Sequence, residues 1–285
     1  MQLRRSRLFY AMTLPVVVTL LALLVFPLIA TLRDAFWSDH GATATPFWDT
    51  IQGEGFWQVV ANTVVFTVGS TVLSMLIGFL FAYALEFIET GRRFFVSVLI
   101  LPLAMMPVVS ALTYGMMLNP ALGVVNYLIR LAHLSGIRGP GWATDSKMAL
   151  LTVMLVDVWQ WTPFCFAILH AGFRALPSDV FEASRIDGAN ARQELFHISI
   201  PMLRNVLLVA FVFRFMEAFK AFDVIYVMTQ GGPGRASETL VLRAYKEAFQ
   251  FFQQSDAAMI GVVLLVVTML CMRPIGRALL KGEAR

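Results

Sequence analysis

A largely apolar stretch of the chain carries four charged residues of alternating sign at intervals of three: Arg214, Glu217, Lys220 and Asp223. On a helix, residues three apart are neighbours, so opposite charges at this spacing can pair with each other. The same side chains can exchange hydrogen bonds with the hydroxyl groups of a polyhydroxy solute. The spacing therefore predicts either a self-compensated ion ladder at a helix–helix interface or a set of solute contacts.

A second candidate group lies upstream, in the apolar run between Lys147 and Arg174, where Asp157 is the single charged residue. An unpaired charge at the centre of a bilayer costs about 2.5–3.5 kcal/mol, so we expect Asp157 to pair with an arginine or lysine from another helix. Aromatic rings beside it would cover the apolar faces of a solute. The candidates for a solute pathway are therefore Asp157, Trp159, Trp161, Arg214, Glu217, Lys220 and Asp223.

The chain lacks the patterns that indicate an enzyme or a resident cofactor. It has no HExxH sequence, no paired-cysteine motif and no GxSxG nucleophile elbow, and its histidines, among them His40 and His133, are scattered. Gly231-Gly232-Pro233-Gly234 lacks the Lys and Ser or Thr of a phosphate-binding loop and predicts a tight turn. Cys165 and Cys271 both lie in apolar runs, as small buried thiols do. We therefore expect no catalytic residue, metal or cofactor in this chain.

The composition is that of a membrane protein. Of the 285 residues, 58% are hydrophobic and 14% are charged, whereas soluble domains carry about 25% charged residues. A formal net charge of +4 without a dense Lys/Arg cluster does not indicate a nucleic-acid surface. The composition therefore predicts an all-α integral membrane fold in contact with a lipid bilayer.

A span needs about 20 mostly apolar residues, and the sequence predicts six spans. The fifth becomes charged from Arg214 onward, and the sixth, Ala257–Met272, is short unless Arg273 and Arg277 reach the interface. The first is too long for a secretory signal and is interpreted as an uncleaved span. We expect a single transmembrane domain over residues 1–285, with a cytoplasmic loop at 174–204. The expected spans are about 8–32, 60–85, 94–118, 148–173, 205–229 and 257–279.

The basic residues predict the orientation of the spans. With the N-terminus inside, thirteen lysines and arginines fall in cytoplasmic segments and seven, including Arg138, fall in outer segments. Because cytoplasmic loops are enriched in basic residues, this count favours a multi-pass protein with both termini in the cytoplasm.

The segment between the fourth and fifth expected spans is polar and amphipathic. Ser178 stands where it can cap a first short helix, and Gly188 suits the left-handed residue that ends one. Asn190 followed by Gln193 is a weak capping box for a second helix, which Pro201 would disturb. The residues leave two interpretations: an interfacial helix on the membrane, or a helical knob that docks on a cytoplasmic partner.

The residues of this loop resemble a known pattern. Glu182-Ala183-Ser184, Asp187-Gly188-Ala189 and Ile198-Ser199-Ile200-Pro201 are similar to the EAA loop of binding-protein-dependent ABC importer permeases. That pattern is roughly E-A-A-x-x-x-G-A followed by I-x-L-P, so Ser184 and Ile200 are departures from it.

The resemblance extends along most of the chain from about residue 60. Arg214–Pro233, Trp161-Thr162-Pro163-Phe164, Gly123 and Asn126 are similar to segments of carbohydrate-importer permeases. The features Phe222-Asp223 and Gly231-Gly232-Pro233 resemble those of the larger maltose-type or glycerol-phosphate-type subunit. The chain has no counterpart of the large periplasmic insertion of the maltose-type protein, so contacts made by that insertion are not expected.

The resemblance implies a heteromeric importer of the bacterial inner (plasma) membrane. Its partners would be a second permease of the smaller maltose-type class, a cytoplasmic ATPase dimer and a periplasmic solute-binding protein, and ATP and Mg would be bound by the ATPase. The loop would seat a coupling helix in the ATPase through Glu182, Ala183, Ser184, Asp187, Gly188, Ala189 and Pro201.

The cargo implied by the resemblance is a sugar, a polyol or a sugar-like solute. An anionic sugar derivative such as glycerol phosphate is an alternative, in which Arg214 and Lys220 would meet the anion. A self-sufficient secondary transporter is an alternative of another class. It predicts inverted repeats, and no internal repeat stands out in the sequence.

Overall fold

The computed structural model describes residues 2–38, 41–42, 45–88, 90–132 and 140–283. His40, His133 and Arg138, which entered the interpretation of the sequence, lie outside these ranges. Within them the chain is helical apart from a two-stranded antiparallel hairpin in which Trp37 is paired with Ala42. The all-α expectation is therefore confirmed for the described part of the chain.

The helices and strands follow one another along the chain with short connections. They are α1 (Gln2–Phe36), β1 (Trp37–Ser38), β2 (Gly41–Ala42), α2 (Thr45–Gln52), α3 (Phe56–Ala84), α4 (Arg92–Ile100), α5 (Pro107–Met117), α6 (Val124–Leu131), α7 (Ala149–Arg174), α8 (Ser178–Ile186), α9 (Ala191–Gln193), α10 (Ile200–Phe219), α11 (Asp223–Thr229), α12 (Leu240–Phe249) and α13 (Gln254–Glu283). Two 3₁₀ turns, Leu85–Phe87 and Leu101–Ala104, follow α3 and α4, and a π-helical turn, Glu194–Ser199, joins α9 to α10.

Four described helical runs are long and apolar enough to cross a bilayer, and a bent pair makes a fifth. The straight spans expected at 8–32, 60–85 and 148–173 correspond to α1, α3 and α7. In α13 the described apolar part is Gln254–Leu270, shorter than the other spans. Six spans therefore remain a prediction.

The third expected span, 94–118, contains a sharp bend. The chain there forms two helices, Arg92–Ala104 and Pro107–Met117, that meet at an angle of 93°. Pro107 opens the second helix, and a residue before proline is pushed towards the extended conformation. Met106 accordingly has φ −66° and ψ 140°, and this extended backbone turns the chain.

Helical structure extends beyond the N-terminal end of the fifth expected span, 205–229. Helical structure begins at Ala191 and continues through the π turn into α10, so Pro201 does not interrupt it. Proline is tolerated in the first turn of a helix, and Pro201 occupies that position of α10, directly after the wider π turn. The run is instead interrupted after Phe219, and helical structure resumes with Asp223 in α11.

The chain packs as two compact units, of which the first comprises Met1–Phe56 and Arg243–Val266. In this unit the Thr50 hydroxyl lies 3.2 Å from Asp256 Oδ1, and Arg243 forms a 2.7 Å ion pair with Glu247. The apolar window of α1 is exposed along its length, as expected for a surface that meets lipid or other spans.

The second unit comprises Trp57–Leu242 and Val267–Arg285 and contains the residues of both candidate sites. Its core packs α3 against α7 and α10 through Ala82, Leu85, Phe166, Leu169, Phe173 and Leu203. The helices α3 and α7 approach closely at Gly78, where an added Cβ would lie 2.8 Å from the backbone nitrogen of Phe166. Small residues permit such close packing where no hydrophobic force drives helices together.

Candidate functional site

An ion pair between Asp157 of α7 and Arg214 of α10 lies in the interior of the second unit. Arg214 is fully buried, and its Nη2 atom donates to Asp157 Oδ2. Two hydroxyl groups of α3 complete the contacts: Ser70 accepts from Arg214 and donates to Asp157, and Ser74 Oγ lies 3.2 Å from Arg214 Nε. The guanidinium carbon also lies 5.7 Å from the centre of the Trp161 ring.

The partner expected for Asp157 from another helix is confirmed as Arg214. The expected pairing of Arg214 with Glu217 along the same helix is wrong, because Arg214 is directed instead towards α3 and α7. A buried cation needs a counterion and hydrogen-bond acceptors, and Asp157, Ser70 and Ser74 supply both from α7 and α3. Of the four ladder residues, Arg214 therefore pairs outside the ladder, and Glu217 pairs with Lys220.

A cavity of about 150 Å³, the polar cavity, opens where α10 ends and α11 begins, and charged and amide side chains lie among its largely apolar lining atoms. Beside it, Lys220 Nζ lies 2.8 Å from Glu217 Oε1, and the Lys220 side chain is 65% exposed. Gln160 Nε2 donates to the carbonyl oxygen of Met105 at 2.9 Å, which ties α7 to the bend between α4 and α5. The residues that line the cavity are Pro107, Asp157, Gln160, Trp161, Glu217, Lys220, Ala221, Phe222, Asp223 and Val224.

The structure brings together most of the residues predicted for a solute pathway. Asp157, Trp161, Glu217, Lys220 and Asp223 line the polar cavity, and Arg214 lies behind it, bonded to Asp157.

Trp159 is separate from this group, because it points into an apolar groove between α3, α4 and α7. There its ring meets that of Tyr114 edge to face, with 5.1 Å between ring centres. Tryptophans two residues apart on a helix point in different directions, so Trp159 and Trp161 could not share one site.

Ser70 and Ser74 were not predicted from the sequence. They belong to a row of hydroxyl residues on α3 that are all buried: Thr63, Thr67, Ser70, Thr71 and Ser74. Spacings of three or four place them on one face of an otherwise apolar helix. That row was the available signal, since polar residues inside a membrane usually face the interior of the bundle.

The second candidate region is the helical hairpin between α7 and α10. Its first helix, α8, ends in a Schellman motif: the Ala189 amide donates to the Ser184 carbonyl at 2.9 Å, and the Gly188 amide donates to the Arg185 carbonyl at 3.1 Å. Gly188 has φ +79°, as predicted from its position. The turn is thus closed by backbone hydrogen bonds and needs a residue that tolerates the left-handed conformation.

The predicted capping box at the start of the second helix is confirmed. Asn190 Oδ1 accepts from the Gln193 amide at 2.9 Å, and Gln193 Oε1 accepts from the Asn190 amide at 2.9 Å. Ser178 does not cap α8, because it is the first helical residue, and its hydroxyl lies 3.3 Å from Asp179 Oδ1. Pro177 occupies the cap position, so α8 has no side-chain cap.

The residues predicted to meet an ATPase lie mostly at the surface of this hairpin. Glu182, Ala183, Asp187, Gly188 and Pro201 are exposed, Ala189 is half-buried and Ser184 is buried. Ile186, at the tip, is 86% exposed. The hairpin is therefore closed at its turn and presents an exposed apolar side chain beside it.

The base of the hairpin adjoins the ends of α3 and α7. A groove of about 520 Å³ there is lined by charged and aromatic residues of all these elements. The Tyr83 hydroxyl lies 3.4 Å from the Ala191 carbonyl, and Glu86 pairs with Arg92. In the described residues, no group of three or more His, Cys, Asp or Glu side chains is placed to hold a metal ion.

Membrane-length helices, a buried intramembrane ion pair and a polar cavity at a helix break are the features of an integral membrane transport protein. Residues 74–280 match the family of binding-protein-dependent transport system inner membrane components, and the chain belongs to that family. The family is one of transport components, so the chain is not an enzyme.

Two relatives and one solved structure resemble the chain over nearly its whole length. It is 30% identical to the trehalose/maltose transport system permease protein MalF of Thermococcus litoralis, over 93% of this chain and 90% of that protein. It is 30% identical to the sn-glycerol-3-phosphate transport system permease protein UgpA of Agrobacterium fabrum, over 84% and 81%. A bacterial ABC transporter involved in the import of the acidic polysaccharide alginate has the same fold, with a TM-score of 0.85, 20% identity and 97% of each chain covered.

Proposed function

We propose that the chain is a permease subunit of an ATP-driven importer and forms half of the translocation pathway for a sugar, polyol or sugar-like solute. The observation that carries the proposal is the closed hairpin α8–α9, which presents the EAA-like residues on a protruding knob of a chain that belongs to a binding-protein-dependent transport family. In this proposal the hairpin acts as a docking element, which requires a separate cytoplasmic protein that binds it.

The coupling role is assigned to Glu182, Ala183, Ser184, Asp187, Gly188, Ala189 and Pro201. In this proposal the tip of the hairpin sits in a cleft of a cytoplasmic ATPase, and closure of the ATPase dimer moves the hairpin as one body. The motion enters the membrane through the continuous helical run from Ala191 to Phe219. A helix without an interruption transmits displacement better than a flexible linker.

The solute pathway is assigned to the polar cavity at the break between α10 and α11. Its carboxylate, amide and ammonium groups can bond several hydroxyl groups at once. The Trp161 ring at the same cavity supplies an apolar surface for the face of a sugar ring. Similarity to a trehalose/maltose permease supports this cargo class.

The partners and the topology follow from the same proposal. The chain would pair with a second permease of the smaller maltose-type class, two ATPase subunits and a periplasmic binding protein. ATP and Mg would be bound by the ATPase, and this chain would carry no cofactor. Six spans, with both termini in the cytoplasm, would place the α8–α9 hairpin beside the ATPase.

An anionic sugar derivative such as glycerol phosphate is the second candidate cargo. The observation that favours it is Lys220, whose side chain is 65% exposed at the cavity, together with the similarity to a glycerol-phosphate permease. Arg214 is less suited to an incoming anion, because it is fully buried and already paired with Asp157.

The test is uptake by the complete importer reconstituted in vesicles with its ATPase and binding protein. Uptake of a sugar or polyol that requires ATP and all partners would support the proposal. Uptake of the solute by this chain alone, without the ATPase, would refute it and favour a self-sufficient transporter. Competition between a neutral sugar and its phosphate ester, each loaded on the binding protein, would decide between the two cargo classes.

The Glu217→Ala variant separates solute capture from assembly. If the second permease still copurifies and uptake is lost, Glu217 belongs to the pathway. If copurification fails, the Glu217–Lys220 pair belongs to the permease–permease interface.

A further inference from the structure

Glu194 is the first residue of the π-helical turn that leads into α10, and it faces back towards α8. Its Oε1 atom lies 3.1 Å from the Ser184 hydroxyl and 3.3 Å from Arg185 Nε. These contacts cross the turn between the two helices of the hairpin. Because only residues 187–190 join α8 to α9, the contacts of Glu194 are a second connection in parallel with the backbone.

We propose that Ser184 and Glu194 form a brace that locks α8 to the helical run entering the membrane, and that they act as positioning residues for energy coupling. This inference rests on the proposed coupling role of the hairpin. It adds a specific contact: the Ser184–Glu194 hydrogen bond holds α8 to the helical run that enters the membrane, in addition to the backbone of the turn.

The chemistry of the contact favours a directed hydrogen bond. The Ser184 hydroxyl has one proton and two acceptors in reach, the Phe181 carbonyl at 2.9 Å and the Glu194 carboxylate at 3.1 Å. An ionised carboxylate is the stronger acceptor and cannot itself donate, so the hydroxyl donates to it.

Burial makes Ser184 the important partner of Glu194. Ser184 is 9% exposed, and the Glu194 side chain is 15% exposed, so water competes little for their bond. The Arg185 side chain is 70% exposed, and an exposed ion pair contributes little to stability. The brace therefore depends on the hydroxyl more than on the guanidinium.

The position of Ser184 gives the brace its significance. Ser184 stands where the resembled pattern has its second alanine, and an alanine could make no hydrogen bond to Glu194. The Ser184 carbonyl also accepts from the Ala189 amide in the Schellman motif. One residue therefore links the end of α8, the turn and the start of the π segment.

The proposal is tested with Ser184→Ala in the complete reconstituted importer, and the measured quantity is the number of ATP molecules hydrolysed per solute imported. Loss of a hydrogen bond to a charged group shifts the equilibrium between the braced and the unbraced hairpin by about tenfold. Cycles of the unbraced form hydrolyse ATP without import, so this ratio is expected to rise, by up to about that factor. Ser184→Thr keeps the hydroxyl and is expected to restore the parent ratio. Ser178→Ala removes a hydroxyl from the same helix, where the bond is only to the adjacent Asp179, and is the matched control.

A second variant removes the other partner. Glu194→Ala is expected to raise the same ratio, and the Ser184→Ala/Glu194→Ala double variant is expected to be no worse than either single one, because both remove one bond. Ser184 can still donate to the Phe181 carbonyl when Glu194 is absent, so this variant leaves no unpaired hydroxyl.

The outcomes separate this inference from the proposed function on which it rests. A normal ratio for Ser184→Ala with lost uptake for Gly188→Val would overturn the brace and leave the coupling role of the hairpin in place. Additive effects of the two brace variants would also overturn it. Normal uptake for all these variants would refute the coupling role itself.

Discussion

The buried ion pair and the helical hairpin both lie in the second unit, but their polar contacts differ in sequence range. The ion pair joins residues far apart in the sequence, whereas the hairpin is closed by contacts between near neighbours. Arg214 bonds to residues 57, 140 and 144 positions away in the sequence, on two other helices. The hydrogen bonds that close the hairpin, the Schellman motif and the capping box, join residues between three and five positions apart, and the contacts of Glu194 reach across nine and ten positions. The first arrangement exists only after three helices have packed, whereas the second forms from one continuous segment.

The difference follows from the surroundings of each region. A charge among packed helices has no water to bond, so it must find a counterion on another helix. Most residues of the hairpin are exposed to water, and their local geometry is determined by backbone conformation and capping. The two regions are therefore expected to respond to substitution in different ways.

The largest effect is expected from Asp157→Asn, which leaves Arg214 buried without its counterion. Removing one partner of a buried ion pair costs about 3–5 kcal/mol, so the free energy of unfolding in detergent should fall by that amount. The exposed Asp145, whose carboxylate accepts from the Lys147 amide, supplies the matched control Asp145→Asn. The double variant Asp157→Leu/Arg214→Met should recover most of the lost free energy of unfolding, because it removes both charges.

An unchanged free energy of unfolding for Asp157→Asn would contradict the distinction between the two regions, because the buried pair would then behave like a surface pair. Equal destabilisation by the double variant would show that shape, and not charge, is what the pair supplies.

The next effect is expected from Gly188→Val in the hairpin. A β-branched residue is strained at φ +79°, by about 1–3 kcal/mol, so the turn should open. Uptake by the complete importer should be lost while the protein remains in the membrane. Gly188→Asn is the control, because asparagine tolerates the left-handed conformation and should keep most of the uptake. Full uptake by the valine variant would contradict the docking role.

A smaller effect is expected from Asn190→Ala, which removes one half of the capping box. Loss of a helix N-cap costs about 1 kcal/mol, and the cost should be confined to the hairpin because the contacts are local. Hydrogen exchange of the Gln193 amide should become faster, while global unfolding in detergent should not change. A drop in global stability would show that the hairpin is coupled to the helix bundle more tightly than proposed.

The smallest effect on stability is expected from Lys220→Gln. The Lys220–Glu217 pair is exposed on the lysine side, and such pairs contribute about 0–1 kcal/mol. The free energy of unfolding should therefore fall by no more than that amount, whereas solute uptake should fall if Lys220 contacts the cargo. A large loss of stability would move Lys220 from the solute pathway to a structural role.

Several features of both regions could be predicted from the sequence. Gly188 and the Asn190–Gln193 box were predicted because turn and capping chemistry depends on residues a few positions apart. The need of Asp157 for a basic partner followed from the cost of a charge in lipid. The spans at α1, α3 and α7 followed from the lengths of their apolar runs.

Other features could not be predicted, because they depend on how distant segments meet. The spacing of Arg214 and Glu217 allowed a local pair, and only the packing of α3 and α7 directs Arg214 to Asp157, Ser70 and Ser74. The bend before Pro107 had a signal in the proline itself, but the angle of 93° is decided by what the two helices pack against.

The sequence by itself determined that this is a helical membrane protein with a closed hairpin between two spans, since apolar run lengths and short-range capping act within one segment. Only the tertiary structure decided which charges are buried together, where the polar cavity opens and that Glu194 reaches back to Ser184. The physical reason is that a polar group removed from water is stabilised by whichever partner the packed fold brings within hydrogen-bonding distance, and sequence spacing does not specify that partner.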